Sequence, residues 1–169
     1  MTTIVFDGHT LVADTQVTMD GVKCAKKDKI ERVRWGSNVI AGDAAASKTY
    51  YLAISGDIGD AAAVVEALEA GTAEDTLLTG HTLGILVNSK DFRDVMEVYS
   101  REINGTFYCK LRRSSPAELP FVAGSGGLFA LAAMKAGATP YKAVEVACEM
   151  DIRSSLPLTY VTPDMEHFL

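Results

Sequence analysis

An α+β fold built on antiparallel sheets is predicted for this chain of 169 residues from three observations. Strand-type and helix-type runs are grouped along the chain and do not alternate one by one. The strand runs are short and come in neighbouring pairs broken by Gly-containing turns. The helical runs come in two pairs, enough to cover the outer faces of two stacked sheets. The length suits one hydrophobic core, so residues 1–169 are expected to form a single domain.

Residues 3–6 and 9–13 are β-favouring runs joined by Asp7-Gly8, both tolerant of positive φ, so a hairpin opens the chain. Residues 30–35 and 38–41, separated by Gly36-Ser37, read as a second hairpin. Asp43 suits the N-cap of a helix that starts in the alanines at 44–46 and runs towards Ile54. Residues 60–70 carry Val64, Val65 and Leu68 at helical spacing and stop at Gly71, giving the second helix of that pair. Strands are expected at 82–87, 94–99 and 106–111, the last with Phe107, Cys109 and Leu111 alternating against Tyr108 and Lys110. Phe121-Val122-Ala123 then leads through Gly124-Ser125-Gly126-Gly127 into a helix over 128–136. Thr139 as N-cap and Pro140 at the first helical position start another helix, whose buried face holds Val144, Ala147 and Cys148. Residues 158–161 close the chain as a strand.

Composition narrows the function classes. Apolar residues are 48% and charged residues 22% of the chain, as in a globular protein. A net charge of −6, with basic residues mostly interleaved among acids, argues against nucleic-acid binding; Lys23, Lys26, Lys27 and Lys29 are the main basic cluster. Three cysteines without CxxC spacing suggest neither a disulfide framework nor a zinc site, and fit a reducing cytoplasm. His9, His81 and His167 are scattered, which gives a Ser-His-Asp triad no support. The Gly-Ser-Gly-Gly turn lacks the spacing and lysine of a phosphate loop. No run is long enough to span a membrane, and no signal peptide precedes the start, so a cytoplasmic protein is expected.

The start itself is chemically suggestive. Met1 precedes two threonines, and Met before a small residue is normally removed, which would expose Thr2 as the terminus. A terminal threonine carries a hydroxyl and an α-amine on adjacent atoms, so one residue supplies nucleophile and base. The amine has an unperturbed pKa of about 7.7–8.0, already suited to a base at neutral pH. A nearby lysine would disfavour the protonated amine, and a carboxylate would hold that lysine in place.

Five segments, in order, carry a resemblance: Thr2-Thr3-Ile4-Val5, Ala13-Asp14-Thr15-Gln16, Lys29-Ile30, Val39-Ile40-Ala41-Gly42 and Ala123-Gly124-Ser125-Gly126-Gly127. Together they resemble the proteasome β-type family of N-terminal threonine peptidases, and its bacterial member HslV above all. The match covers the first 50 residues and about 121–155, while 56–119 agrees only in its pattern of strands and helices. The resemblance implies the four-layer αββα sandwich of N-terminal nucleophile hydrolases. It implies Thr2 as nucleophile, Lys29 as its charge partner, Asp14 as the acid pairing Lys29, and the Gly42 N–H as oxyanion donor. Ser125, Asp151 and Ser154 would brace the terminal amine, with Ser155 competing for the last place.

Three departures from the family pattern matter. The stretch from Asp14 to Lys29 is one residue short, which leaves Lys27 as a rival to Lys29. Asp43 stands where an apolar residue is usual, which puts substrate preference in doubt. Leu156-Pro157-Leu158 replaces a segment through which relatives can bind a cation, so no metal and no intrinsic cofactor is expected. The resemblance further implies a homo-oligomeric ring, hexameric or heptameric and single or stacked, that encloses the sites and degrades unfolded polypeptides. An AAA+ ATPase unfoldase would feed it, and the ATP would belong to that partner. The alternatives are a catalytically silent ring or scaffold subunit of the same fold and an amidase acting on a small amide.

Overall fold

The computed structural model of the chain describes residues 2–19, 22–35 and 48–163. Among these, twelve strands and three α-helices form a mixed α/β architecture whose sheets are antiparallel throughout. The strands β1 (Ile4–Phe6) and β2 (Leu11–Asp14) make the expected opening hairpin, in register Phe6↔Leu11. Its turn is longer than the Asp7-Gly8 pair alone: the Asp7 carboxylate accepts the N–H groups of His9 at 2.8 Å and Thr10 at 2.7 Å, while Gly8 takes φ +100°. β11 (Phe121–Ala123) and β12 (Leu158–Val161) flank the hairpin, giving a four-stranded sheet in the order β11-β1-β2-β12.

A six-stranded sheet holds β5 (Ile30–Trp35), β6 (Lys48–Ser55), β8 (Leu83–Asn88), β9 (Val95–Ile103), β10 (Thr106–Arg113) and the two-residue β7 (Leu77–Leu78), in the order β5-β6-β8-β9-β10-β7. A separate hairpin of β3 (Gln16–Met19) and β4 (Val22–Lys26), absent from the sequence expectations, leaves directly from the end of β2. Its strands are short and its second strand is lysine-rich and exposed at Lys23, Ala25 and Lys26, so it lacks the apolar alternation that marks a half-buried strand.

Three cores follow from alternation along the strands. Ile4, Phe6, Leu11 and Ala13 on one sheet meet Tyr51, Ala53, Ile85 and Val87 on the other. On the opposite face of the small sheet, Val5 and Val12 pack on Ala130 of α2 (Gly127–Lys135) and on Ala143, Val144 and Ala147 of α3 (Pro140–Met150). On the opposite face of the large sheet, Leu52, Leu86 and Val98 pack on Val64, Ala67 and Leu68 of α1 (Ile58–Ala70). Two of the three helices carry side-chain caps: Asp57 caps α1, which ends at Gly71 with φ 74°, and Thr139 accepts the Lys142 N–H at 3.3 Å at the start of α3. None of the described helices is long and apolar enough to cross a membrane.

One expectation needs correcting. The helix read from Asp43 towards Ile54 is, over its described part, strand β6. Tyr51 and Ala53 face one core and Tyr50 and Leu52 the other. A central strand buried on both faces reads as an unbroken apolar run, which periodicity does not distinguish from a buried helix. The large sheet is therefore covered by one described helix in place of a pair. The strand expected at 38–41, the helix start at 43–47, Gly42, Asp43 and His167 lie outside the described residues.

Candidate functional site

Residues 2 and 3 lead into β1, and Asp14 ends β2, so the hairpin register sets Thr3 opposite Asp14. The Asp14 N–H donates to the Thr3 carbonyl at 3.1 Å, and the Thr3 N–H returns a bond to Asp14 Oδ1 at 2.8 Å. Asp14 is fully buried. Its Oδ1 also meets the Lys29 ammonium at 3.3 Å, and its Oδ2 accepts the N–H groups of Gln16 at 3.0 Å and Ser155 at 3.3 Å. A buried charge persists only when donors and a counter-ion replace water, and Asp14 has both. Lys29, its side chain 11% exposed, donates its other described bond to the Gln16 carbonyl. Burial holds the Lys29 pKa below the ordinary lysine value, against the opposing pull of Asp14.

A second carboxylate, Asp151, caps the C-terminal end of α3. Its Oδ2 accepts the Ser125 hydroxyl at 2.6 Å and the Ser154 hydroxyl at 2.7 Å, and its Oδ1 accepts the Arg153 N–H at 3.2 Å. Burial pushes this carboxyl upward, but the hydrogen bonds outweigh it and leave the pKa below the usual carboxylate value. Ser154, 1% exposed, also lies 2.6 Å from the Thr3 hydroxyl.

The Gly124–Gly127 turn brings Ser125 to this cluster, and two of its glycines are sterically required. A Cβ on Gly124, at φ +86°, would sit 1.2 Å from the Thr2 carbonyl oxygen, and one on Gly126 would sit 2.0 Å from the Thr3 hydroxyl oxygen. Thr2 is thus packed against the turn and is 5% exposed.

The expected residues therefore gather in two linked groups around residues 2 and 3: Asp14 with Lys29, and Ser125 with Asp151 and Ser154. Lys27, the rival lysine, pairs instead with Glu31 at 3.0 Å on the surface. Ser155 reaches Asp14 through its backbone N–H, while the hydroxyl on Asp151 is that of Ser154. His9 and His81 are exposed and away from both groups, His81 edge-on to Phe107. Among the described residues no group of three or more His, Cys, Asp or Glu is arranged to hold a metal.

Sequence reasoning passed over Thr3 and Gln16. Gln16, 2% exposed, holds Asp14 and Lys29 through its backbone and donates its side-chain amide to the Ile152 carbonyl at 3.2 Å. Its position two residues after Asp14, at the start of an unrecognised hairpin, was the available signal. A cavity of about 420 Å³ lies between β4 and α3, with Lys23, Cys148, Glu149, Ser154, Ser155 and Leu156 in its wall; Thr2 does not line it. Burial, then the charges of Asp14 and Asp151, push the Cys148 thiol up to about 12.

No protein-family model matches the chain, and no curated protein matches it. Solved structures do share its fold. Thiobacillus denitrificans BPH superposes with a TM-score of 0.56 at 19% identity, over 95% of each chain; the same protein in complex with epoxomicin gives 0.54 at 19%, over 95% of this chain and 96% of that one. An Anbu (Gly-1) mutant from Hyphomicrobium sp. strain MC1 gives 0.63 at 12%, over 96% of this chain and 81% of its own. Anbu, described as an ancestral β-subunit, from Yersinia bercovieri gives 0.59 at 9%, over 94% and 80%. At these identities the likeness is one of fold. The assignment to the proteasome β-type family, with HslV as nearest member, is corrected accordingly: the matches are to BPH and Anbu structures, too distant in sequence to carry it.

Proposed function

We propose that the chain is an N-terminal nucleophile hydrolase that cleaves amide bonds in polypeptides, with Thr2 as nucleophile once Met1 is removed. The observation that carries this reading is a shared oxygen: Asp14 Oδ1 accepts both the Thr3 N–H, which belongs to the peptide bond leaving Thr2, and the Lys29 ammonium. One carboxylate thereby fixes the backbone of the nucleophile and the cation that acts on it. The Thr2 α-amine takes the hydroxyl proton as the Oγ–carbonyl bond forms, and Lys29 stabilises the charge on Oγ. The protonated amine returns its proton to the leaving nitrogen as the amide breaks. Water, deprotonated by the same amine, then hydrolyses the ester and restores Thr2. Ser125, Asp151 and Ser154 hold the amine in place.

The three apolar cores support the four-layer αββα sandwich as the frame for this site. We extend the proposal to a cytoplasmic homo-oligomeric ring that encloses the sites and receives unfolded chains from an ATP-driven unfoldase. The description of the Yersinia protein as a β-subunit supports assembly.

A second reading has its own support: the likeness to the two Anbu structures is one of fold alone, at 12% and 9% identity, and does not carry an activity with it. On that reading the chain is a silent or divergent subunit of the same fold. Intact mass with and without an epoxyketone such as epoxomicin, found in the second BPH structure, separates the two. Loss of Met1 and gain of one inhibitor per chain supports the hydrolase. A processed chain that takes up no inhibitor rejects it and leaves the silent subunit.

A further inference from the structure

We infer that Thr3 is a positioning residue that locks the two carboxylates of the site to each other, through its N–H to Asp14 and through its hydroxyl and Ser154 to Asp151. The inference rests on the hydrolase reading for its catalytic consequence, and on the geometry alone for the lock itself.

The direction of the hydrogen bonds follows from counting protons. The Ser154 hydroxyl has one proton, and it goes to Asp151 Oδ2, which at 2.7 Å is an acceptor only. The 2.6 Å contact between Thr3 Oγ1 and Ser154 Oγ is therefore donated by Thr3. The result is an ordered chain, Thr3 to Ser154 to Asp151, which ends on a charged acceptor that strengthens it. Meanwhile the Thr3 N–H ends on Asp14.

The bland alternative is a strand threonine that merely satisfies its hydroxyl. Such residues usually bond a nearby carbonyl. Thr3 is 0% exposed and reaches a side chain 151 positions away. Valine would fill the same space in a strand without a hydroxyl to desolvate. Accommodating the hydroxyl also demands a neighbour without a side chain, since a Cβ on Gly126 would stand 2.0 Å from it and 3.2 Å from Ser154 Oγ. Because Thr2 and Thr3 share a peptide bond, fixing Thr3 at both carboxylates fixes the backbone from which the Thr2 hydroxyl and amine project. Small displacements of a nucleophile are costly in rate.

The test uses Thr3→Val, Thr3→Ser, Ser154→Ala and the Thr3→Val/Ser154→Ala double variant of the full chain, each followed by epoxyketone adduct kinetics and thermal unfolding. Thr3→Val is expected to slow the maximal rate of adduct formation about tenfold, the worth of one buried hydrogen bond, with the half-saturating inhibitor concentration unchanged. Thr3→Ser should recover most of that rate. The double variant should be no slower than Ser154→Ala, because the hydroxyl acts through Ser154. A wild-type rate for Thr3→Val, a loss that Ser does not rescue, or full additivity with Ser154→Ala overturns the inference. If Thr3→Val does not fold, a wild-type rate for Ser154→Ala overturns it equally, and a tenfold loss supports it. If processed wild-type protein takes no inhibitor, the hydrolase reading falls while the lock is still decided by the unfolding midpoints: non-additive shifts support it, and additive shifts overturn it.

Discussion

Two buried carboxylates, Asp60 on α1 and Asp14 at the end of β2, make an instructive pair. Asp60, 2% exposed in the first turn of α1, accepts the Thr79 N–H at 2.8 Å, the Thr79 hydroxyl at 3.0 Å and the Gly80 N–H at 3.2 Å. All three donors come from one loop, so Asp60 ties that loop to its helix. Asp14, fully buried at the end of β2, draws donors from Thr3, Gln16, Lys29 and Ser155, which lie on four separate stretches of chain. Around it the polar residues Thr2, Thr3, Gln16, Asp151 and Ser154 are each at most 9% exposed. Burying so many polar groups is costly unless they are bonded, and Gln16 Oε1 is buried here without a partner among the described residues. Burial of a carboxylate alone does not mark a site; convergence of distant segments on one charged group does.

The sharpest way to break this comparison is to remove both carboxylates in turn. Asp14→Ala leaves the Lys29 ammonium buried without its partner and should cost about 3 to 5 kcal/mol of stability. It should also abolish epoxyketone adduct formation. Asp60→Ala strands two backbone N–H groups and should cost about 2 kcal/mol while leaving the adduct rate intact. Equal effects of the two on adduct formation, at matched stability in urea titrations, would remove the distinction drawn here.

A purely apolar cut on the Asp60 side sharpens the contrast. Leu68, 0% exposed in the core between α1 and the large sheet, should lose about 3 kcal/mol on replacement by alanine. Adduct formation measured well below the unfolding midpoint is expected to stay at the wild-type rate, because the cost stays in that core.

The smallest effect is a pH dependence. Hydrogen bonds from Ser125, Ser154 and the Arg153 N–H overcome burial and hold Asp151 below its ordinary pKa of 3.8. Between the two values the unfolded chain binds the proton and the folded chain does not, so stability rises with pH there. The contribution is fully present above the ordinary value and is lost as pH falls through the lower, folded one. Urea titrations from about pH 6 to about pH 3 should therefore show a shallower loss for Asp151→Asn than for wild type. Identical slopes would contradict this account of Asp151.

The elements that were legible in the sequence were those with local causes. Gly71 and Thr139 mark helix ends through their own backbone and side-chain bonds, and the opening hairpin follows from two β-favouring runs joined by Asp7-Gly8. β6 reads as a helix because its two buried faces erase the period that separates strand from helix, and β3–β4 gives no signal because exposed lysines carry no period at all. Asp14, Ser125 and Asp151 stand out in the sequence only through a family resemblance, because no local pattern separates a site carboxylate or serine from a solvated one.

What the sequence determined by itself is the antiparallel α+β plan, because capping, turn chemistry and alternation act over a few residues. The tertiary structure pairs Lys29, not Lys27, with Asp14 and the hydroxyl of Ser154, not that of Ser155, with Asp151, and only it brought Thr3 between Asp14 and Asp151. Those pairings rest on hydrogen bonds between segments up to 151 positions apart, and no local pattern encodes where such partners meet.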